Sequence, residues 1–400
     1  MAVRKRVIYQ SEVLYAGITG AAGSSTQLRR IQSANYSFDV ARTDVNQFGQ
    51  LAAIDRIILE QPTVSLDFNY LVGDGHNETG IGLSINHPNS CISHILSGVD
   101  ISEGNTANRW TNGAAGSDFK NYYILTAAEG DDMVGGNATG IIAIGNGQLT
   151  NYTVNGAVGD FVTADVTVEA MNMVFDGDCR VGAVVTVKNP AVDPENGNEI
   201  GATVTLAAPT AGNDGTTPVA LRPGDVELDL TSSAFKSGTL GVLSTDLKVQ
   251  NFSCNVGIAR TPLEKLGSRF AFSREIDFPL TATMDFSANL GELDSKAHSG
   301  VTDTERDEDL QNLLAEDASH TLVIKCKPQN VAGAPYGLKF TLRGAKIDSQ
   351  SMSSSIGDNK SMDMSFSAQV GGPQDSVNGL AIERIDTGGS PITDMTSKGG

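Results

Sequence analysis

IQSANYSFDVARTDVNQFGQ, residues 31–50, and VQNFSCNVGIARTPLEKLGS, residues 249–268, are two versions of one segment. Sliding the chain on itself by 218 residues superimposes them without a gap. Over residues 32–73 twelve positions are then identical, among them Arg42 on Arg260, Gly49 on Gly267 and Asp67 on Asp285. Chance at ordinary composition gives roughly three. The chain is therefore internally duplicated, and this decides the fold before any single motif does.

The patterning agrees with the letters. Val64, Leu66, Phe68 and Tyr70 alternate with Thr63, Ser65, Asp67 and Asn69, and Ala282, Met284, Phe286 and Ala288 alternate in the same phase with Thr281, Thr283, Asp285 and Ser287. A strict period of two predicts a strand with one buried face, in a register both copies keep. A second block, GDFVTADVTVEAM (159–171), matches GDNKSMDMSFSAQ (357–369) at an offset of 198, pairing Asp165 with Asp363. The shorter offset places about twenty extra residues in the first copy, and the Gly- and Asn-rich stretch 103–117 with the single Trp110 is their expected home. Between the blocks a short helix is predicted in each copy. One starts at Pro88, carries Ile92, Ile95 and Leu96 and closes at Gly98; the other is capped by Thr304 and Asp307 and carries Leu310, Leu313 and Leu314.

The expected organisation is a first domain over 1–178, a connector over 179–218 with some strand character, a second domain over 219–372, and an extended C-terminal arm from 373 to 400. Short strands parted by Gly and Asn turns predict a mainly β fold: two tandem sandwich or open-barrel units, each with a short flanking helix.

Composition narrows the function. Gly is 44 of 400 residues and charged residues are only 19 %, below the usual ~25 %. Net charge is −19, from 47 acidic and 28 basic residues, so the chain as a whole repels nucleic-acid phosphates. No apolar run reaches membrane-span length, and the basic opening MAVRKRVIYQSEV leads into no apolar run, so no secretory leader is expected. Cys91, Cys179, Cys254 and Cys326 are too far apart in sequence for a local zinc or redox motif and read as buried free thiols.

The motifs of chemistry are weak. His87 and His94 could share a helix face but have no carboxylate at ligand spacing beside them. GITGAAGSS (17–25) lacks the Lys of a phosphate loop and reads as a turn. Asp193, Glu195, Asn196, Asn198 and Glu199 could offer oxygens to calcium, yet the spacing is not that of an EF-hand and equally suits a polar turn. The run from Asp303 to Asp309 reads as a solvated helix start. No nucleophile elbow occurs, so neither an enzyme nor a cofactor is expected.

SFDVARTDVNQFGQLAAIDRIILEQPTVSLDFNYL (37–71), its copy at 255–290 and LRGAKIDSQSMSSSIGDNKSMDMSFSAQVGG (342–372) resemble the tail tube proteins of long-tailed bacteriophages, in the duplicated, two-domain variety. The resemblance implies a virion structural protein assembled in the host bacterial cytoplasm. Six domains, here three chains, would form a ring, and rings would stack into a hollow tube that conducts double-stranded DNA without binding it. Its implied partners are further copies of itself, a tape measure protein, a tail terminator and baseplate or tip proteins. In this reading Asp67, Asp165, Asp285 and Asp363 line the bore, and Arg42 and Arg260 sit in the loops that meet the next ring. Another phage-tail or secretion-tube part and a β-sandwich adhesin remain as alternatives.

Overall fold

The alternation read in the sequence forms strands with one buried face throughout. In the computed structural model the described residues are 12–18, 25–59, 61–83, 119–127, 140–176, 184–193, 198–200, 203–207, 209–210, 226–229, 247–268, 270–290, 319–326, 337–355, 359–370 and 377–385. The fold is mainly β. The helices expected at 88–98 and 304–314, the 103–117 insertion, His87, His94 and most of the 17–25 loop lie outside these residues.

The first repeat contains β1 (Glu12–Ile18), β2 (Thr26–Gln27), β3 (Ile31–Asp39), β4 (Arg42–Val45), β5 (Asp55–Ile58), β6 (Thr63–Leu71), α1 (His76–Ile81), β7 (Lys120–Thr126), β8 (Gly140–Ala157), β9 (Thr163–Ala170) and β10 (Asn172–Asp176). Strand β8 serves two layers. Its first half pairs with β7 and β10, its second half with β9, and β9 continues through β6 to β3. The strand turns between layers at Asn146, whose φ of 57° is left-handed, a conformation Asn tolerates better than most residues. The two layers close on one core, where the Phe68 and Tyr122 rings lie 6.1 Å apart.

The hairpin β11 (Val184–Lys188) and β12 (Thr203–Ala207) follows. After it come β13 (Val226–Asp229), β14 (Leu247–Gly257), β15 (Arg260–Leu263), β16 (Ser273–Ile276), β17 (Leu280–Leu290), β18 (His320–Cys326), β19 (Gly337–Ser353), β20 (Ser361–Val370) and β21 (Gly379–Ile385). Apart from that of β1 with β2, every pairing of the first repeat recurs here among the described residues. Asn35 opposes Asp67 as Ser253 opposes Asp285, and Asp165 opposes Thr153 as Asp363 opposes Ser351. Even the irregularities are shared: β3 and β14 bulge at Gln32 and Gln250, β8 and β19 at Thr150 and Asp348. Strand β19 also turns at the position of Asn146, here Gly344 with φ 65°. A bulge or bend retained in both copies is part of the design of the layer, since each fixes where the strand leaves one sheet for the other.

Two of the expected segments contribute to the sheets. The 179–218 segment is more than a connector, because Val185, Val187, Val204 and Leu206 of its hairpin bury the outer face of β1, β7 and β8 against Tyr15, Tyr123 and Leu125. That explains why KNYYILT in β7 is apolar on both faces while its counterpart HTLVIKC in β18 alternates. Inside the expected arm, the largely buried β21 pairs with the first half of β19, the pairing that β10 makes with β8. The described helix α1 carries no apolar i, i+3, i+4 stripe, which is why periodicity passed over it.

The repeats are joined edge to edge. Residues 151–157 of β8 pair with 251–257 of β14, so β3, β6, β9, β8, β14, β17, β20 and β19 form one continuous run. At this joint Gly156 opposes Phe252, and a Cβ on Gly156 would stand 2.4 Å from the Phe252 ring. Gly156→Ala is expected to destabilise the chain by about 1–3 kcal/mol through overpacking. Phe252→Leu on that background should restore part of the loss, read as the coupling in a double-mutant cycle by urea denaturation.

Candidate functional site

The candidate residues gather on the polar face of the eight-strand run. Its floor is built from every second residue, the apolar neighbours pointing into the core. All four aspartates singled out in the sequence lie on it. Asp67 sits between Asn35 and Thr167, Asp165 between Asn69 and Thr153, Asp285 between Ser253 and Ser365, and Asp363 between Ser287 and Ser351. Asp67 and Asp165 are thus diagonal neighbours on adjacent strands, and Asp285 and Asp363 repeat the arrangement. Around them the face is Ser, Thr and Asn, with Asp39 and Glu169 near the end of the strands that leads to the β4–β5 and β15–β16 hairpins. Two lysines share the face at its ends: Lys248 opposes Asn289 at the end away from the hairpins, and Lys346 opposes Ser367 beyond the β19 bulge, at the hairpin end.

Short polar side chains hold the carboxylates in place. Ser65 Oγ donates to Asp67 Oδ2 at 3.3 Å, Asn155 Nδ2 to Asp165 Oδ2 at 3.0 Å and Ser365 Oγ to Asp285 Oδ1 at 2.5 Å. Across the joint Asn255 Nδ2 donates to Asn151 Oδ1 at 3.0 Å, so the polar network runs from one repeat into the next. Opening onto this face is a groove of about 610 Å³ whose lining includes Asn155, Asp285 and Asp363. Its groups are acceptors and small donors, with no nucleophile and base brought together. Among the described residues no group of three His, Cys, Asp or Glu could hold a metal ion, and no helix is long and apolar enough to cross a membrane.

Arg42 and Arg260 occupy matching positions at the bases of the two hairpins, opposite Ile58 and Ile276. Arg42 is exposed, whereas Arg260 donates from its guanidinium to the Arg274 carbonyl at 3.2 Å. The hairpin tips present other residues: Phe48, Leu51 and Leu266 have relative exposures of 104 %, 110 % and 104 %. Sequence reading missed them, although apolar residues beside a turn glycine were the available signal. Gly49 and Gly267 turn both tips at φ 85° and 89° with open space around them, so backbone conformation alone requires glycine there. The second hairpin lies against the first repeat: buried Arg274 reaches Glu169 at 3.0 Å, and the Ala271 amide donates to Gln61 Oε1 at 2.8 Å.

Glu78 was also missed. It is fully buried at the start of α1, accepting hydrogen bonds from the Tyr70 hydroxyl at 2.8 Å and the Tyr152 hydroxyl at 3.3 Å. Burial pushes its carboxyl above the usual range, partly countered by a backbone hydrogen bond and by the Tyr70 hydroxyl. Nearby, Asp74 pairs with Arg30 at 3.1 Å and its carbonyl accepts from Arg384 Nε of β21 at 2.8 Å, tying this corner to the second repeat.

No protein-family model matches the sequence, and no curated protein is significantly similar to it. Among solved structures, a chain of the cryo-EM structure of the anti-feeding prophage baseplate, 6-fold symmetrised, is similar at a TM-score of 0.25 and 10 % identity, over 43 % of this chain and 96 % of that one. A likeness of this size leaves the functional reading to rest on the chain's own geometry.

The buried carboxylate has a consequence for stability. Glu78→Ala leaves two buried hydroxyls without their acceptor and should cost about 2 kcal/mol or more, whereas Glu78→Gln keeps an acceptor. Because the folded-state pKa is raised, the stabilising protonated form is fully present below the unfolded value and is lost as pH rises through the folded value. The stability of Glu78→Gln relative to the parent should therefore increase from acidic to neutral pH, read by urea denaturation at each pH.

Proposed function

We propose that the chain is a structural subunit of a bacteriophage tail tube, three copies closing a ring whose polar faces line a bore. The observation that carries this is the unbroken polar run of eight strands across both repeats, ending in two edges, β3 and the second half of β19, that pair with no further strand among the described residues. At about 4.8 Å between strands, eight strands span about 38 Å, so three copies make a circle of about 115 Å, about 37 Å across between backbones. Lined by Ser-, Asn- and Asp-sized side chains, that bore admits a DNA duplex; two copies would leave about 24 Å between backbones, too little once side chains are added. Closure would also pair the free edges, which otherwise invite irregular association.

The face suits passage rather than binding. Asp67, Asp165, Asp285 and Asp363 would recur around the ring as bands of carboxylate, so no release of counterions from phosphates holds the duplex. The reading is a non-catalytic virion protein that assembles in the bacterial cytoplasm. Its partners would be its own copies, a tape measure protein, a tail terminator and baseplate or tip proteins. The hairpins leave the sheet on one side only, and their apolar tips, with Arg42 and Arg260 at the bases, would meet the next ring.

Electron microscopy of the purified chain tests this directly. Three-chain rings stacked into hollow tubes are expected, and a dispersed monomer at high concentration would overturn the reading in favour of an adhesin-like module. Phe48→Ser, Leu51→Ser and Leu266→Ser together should leave rings but shorten or abolish tubes. Replacing the four aspartates with Lys should give tubes that retain added DNA at low salt and release it as salt rises.

A further inference from the structure

We propose that the free edge of β3 in one copy continues the sheet onto the free half of β19 in the next, in the register that β8 and β14 use within the chain, placing Tyr36 against Met352 and Phe38 against Gln350. This rests on the ring reading above and specifies the joint that the ring requires.

The template is the joint inside the chain. There Tyr152 opposes Val256, Val154 opposes Cys254 and Gly156 opposes Phe252, and the Ile258 amide donates to the Thr150 carbonyl at 2.7 Å. Because β3 matches β14 and β19 matches β8 residue by residue, bulges included, the same ladder carried to the next copy sets Gln350 against Phe38, Met352 against Tyr36 and Ser354 against Ala34. The surface agrees. Tyr36, Phe38 and Met352 have relative exposures of 39 %, 60 % and 43 %, while their counterparts Cys254, Val256 and Val154 are buried by the in-chain joint. These three side chains point to the core side of two edges that are unpaired among the described residues, where a second copy would cover them.

The side chains at the two joints differ in a compensating way. Inside the chain the aromatic ring opposite Val256 comes from the β8 side, as Tyr152; between copies it would come from the β3 side, as Phe38, with Gln350 giving way. The pocket that Gly156 opens for Phe252 becomes the small pair Ser354 and Ala34. Exchanging partners spoils both joints: β3 on β8 would set Phe38 against Tyr152 and leave Ala34 facing Gly156. Volume thus makes the joints non-interchangeable and enforces alternation of the two repeats around the ring. Charge is arranged differently too. Arg274 crosses the in-chain joint to Glu169, but Arg56, its counterpart, pairs within its own hairpin with Asp44 at 2.6 Å, and Ser367 stands at the position of Glu169. The joint between copies is then carried by the backbone ladder and apolar contact.

Disulfide trapping on the full chain tests the register, since facing Cα atoms of an antiparallel pair fall within disulfide reach. Under mild oxidation, Tyr36→Cys with Met352→Cys should convert the chain to covalent dimers and closed trimers on non-reducing gels. Tyr36→Cys with Ser351→Cys, one residue out of register and on opposite faces, should remain monomeric there, as should each single variant. Phe38→Cys with Gln350→Cys provides an independent on-register pair should the first disturb folding. Rings seen by electron microscopy with neither on-register pair cross-linking, or with the off-register pair linking as well, would overturn the register while leaving the ring standing. Absence of both rings and cross-links would overturn the ring reading and the joint together.

Discussion

Backbone hydrogen bonding at the edges of one long sheet constrains this molecule most tightly. A strand edge presents a row of amide and carbonyl groups that must be paired, covered or left to water, and the chain pairs one such edge internally by setting β8 against β14. That ladder makes the two repeats a single surface, with one core below it and one polar face above. Among the described residues it also leaves two edges of opposite kind open at the ends. Everything proposed about assembly follows from the relation between the edge already joined and the pair still open.

The duplication has conserved geometry more strictly than chemistry. Pairing registers, two bulges and the bend between layers coincide, although residues on them differ: Asn146 and Gly344 share only the ability to sit at positive φ. Side chains have diverged where the surroundings differ. In the first repeat the β11–β12 hairpin covers the outer layer, and Asn121, Asn146 and Asn189 form a buried network that fixes the loop beneath it, Asn146 exchanging two hydrogen bonds with Val192. In the second, the corresponding outer positions Thr321 and Lys325 suit solvent. A strand's register is costly to change because a one-residue slip inverts both faces, whereas a single side chain can drift wherever its neighbour drifts with it.

The same distinction explains what was legible in the sequence. The strands β6, β9, β17 and β20 were readable because each is buried on one side along its whole length, so period two is unbroken. The four aspartates were placed on one face for the same reason. Strand β21 was not found: GLAIERI has apolar residues next to one another, and its role is set by a partner strand more than thirty residues earlier. Nor does periodicity separate Phe38 from Phe68. Both alternate correctly, and only the pairing of the strands shows that one belongs to the interior and the other to an open edge. Glu78 was invisible because a carboxylate in a short polar segment reads as surface until the two tyrosines above it are brought in by chain folding.

The polar face can be argued one step further. A surface meant to grip DNA would set long basic side chains against phosphate; one meant merely to avoid it could be neutral. This face is neither, since it spaces carboxylates among Ser, Thr and Asn that donate to them. Donation holds the acids close to the sheet, so that in the proposed ring their field would reach the lumen without side chains narrowing it. At physiological salt that field decays over about 8 Å, short compared with the bore of about 37 Å between backbones that the proposed ring would have. A duplex near the axis would feel little, and one drifting to the wall would be pushed back. Repulsion confined to the wall centres a polyanion at no energetic cost to its passage along the axis, which a uniformly basic or uniformly apolar lining could not do.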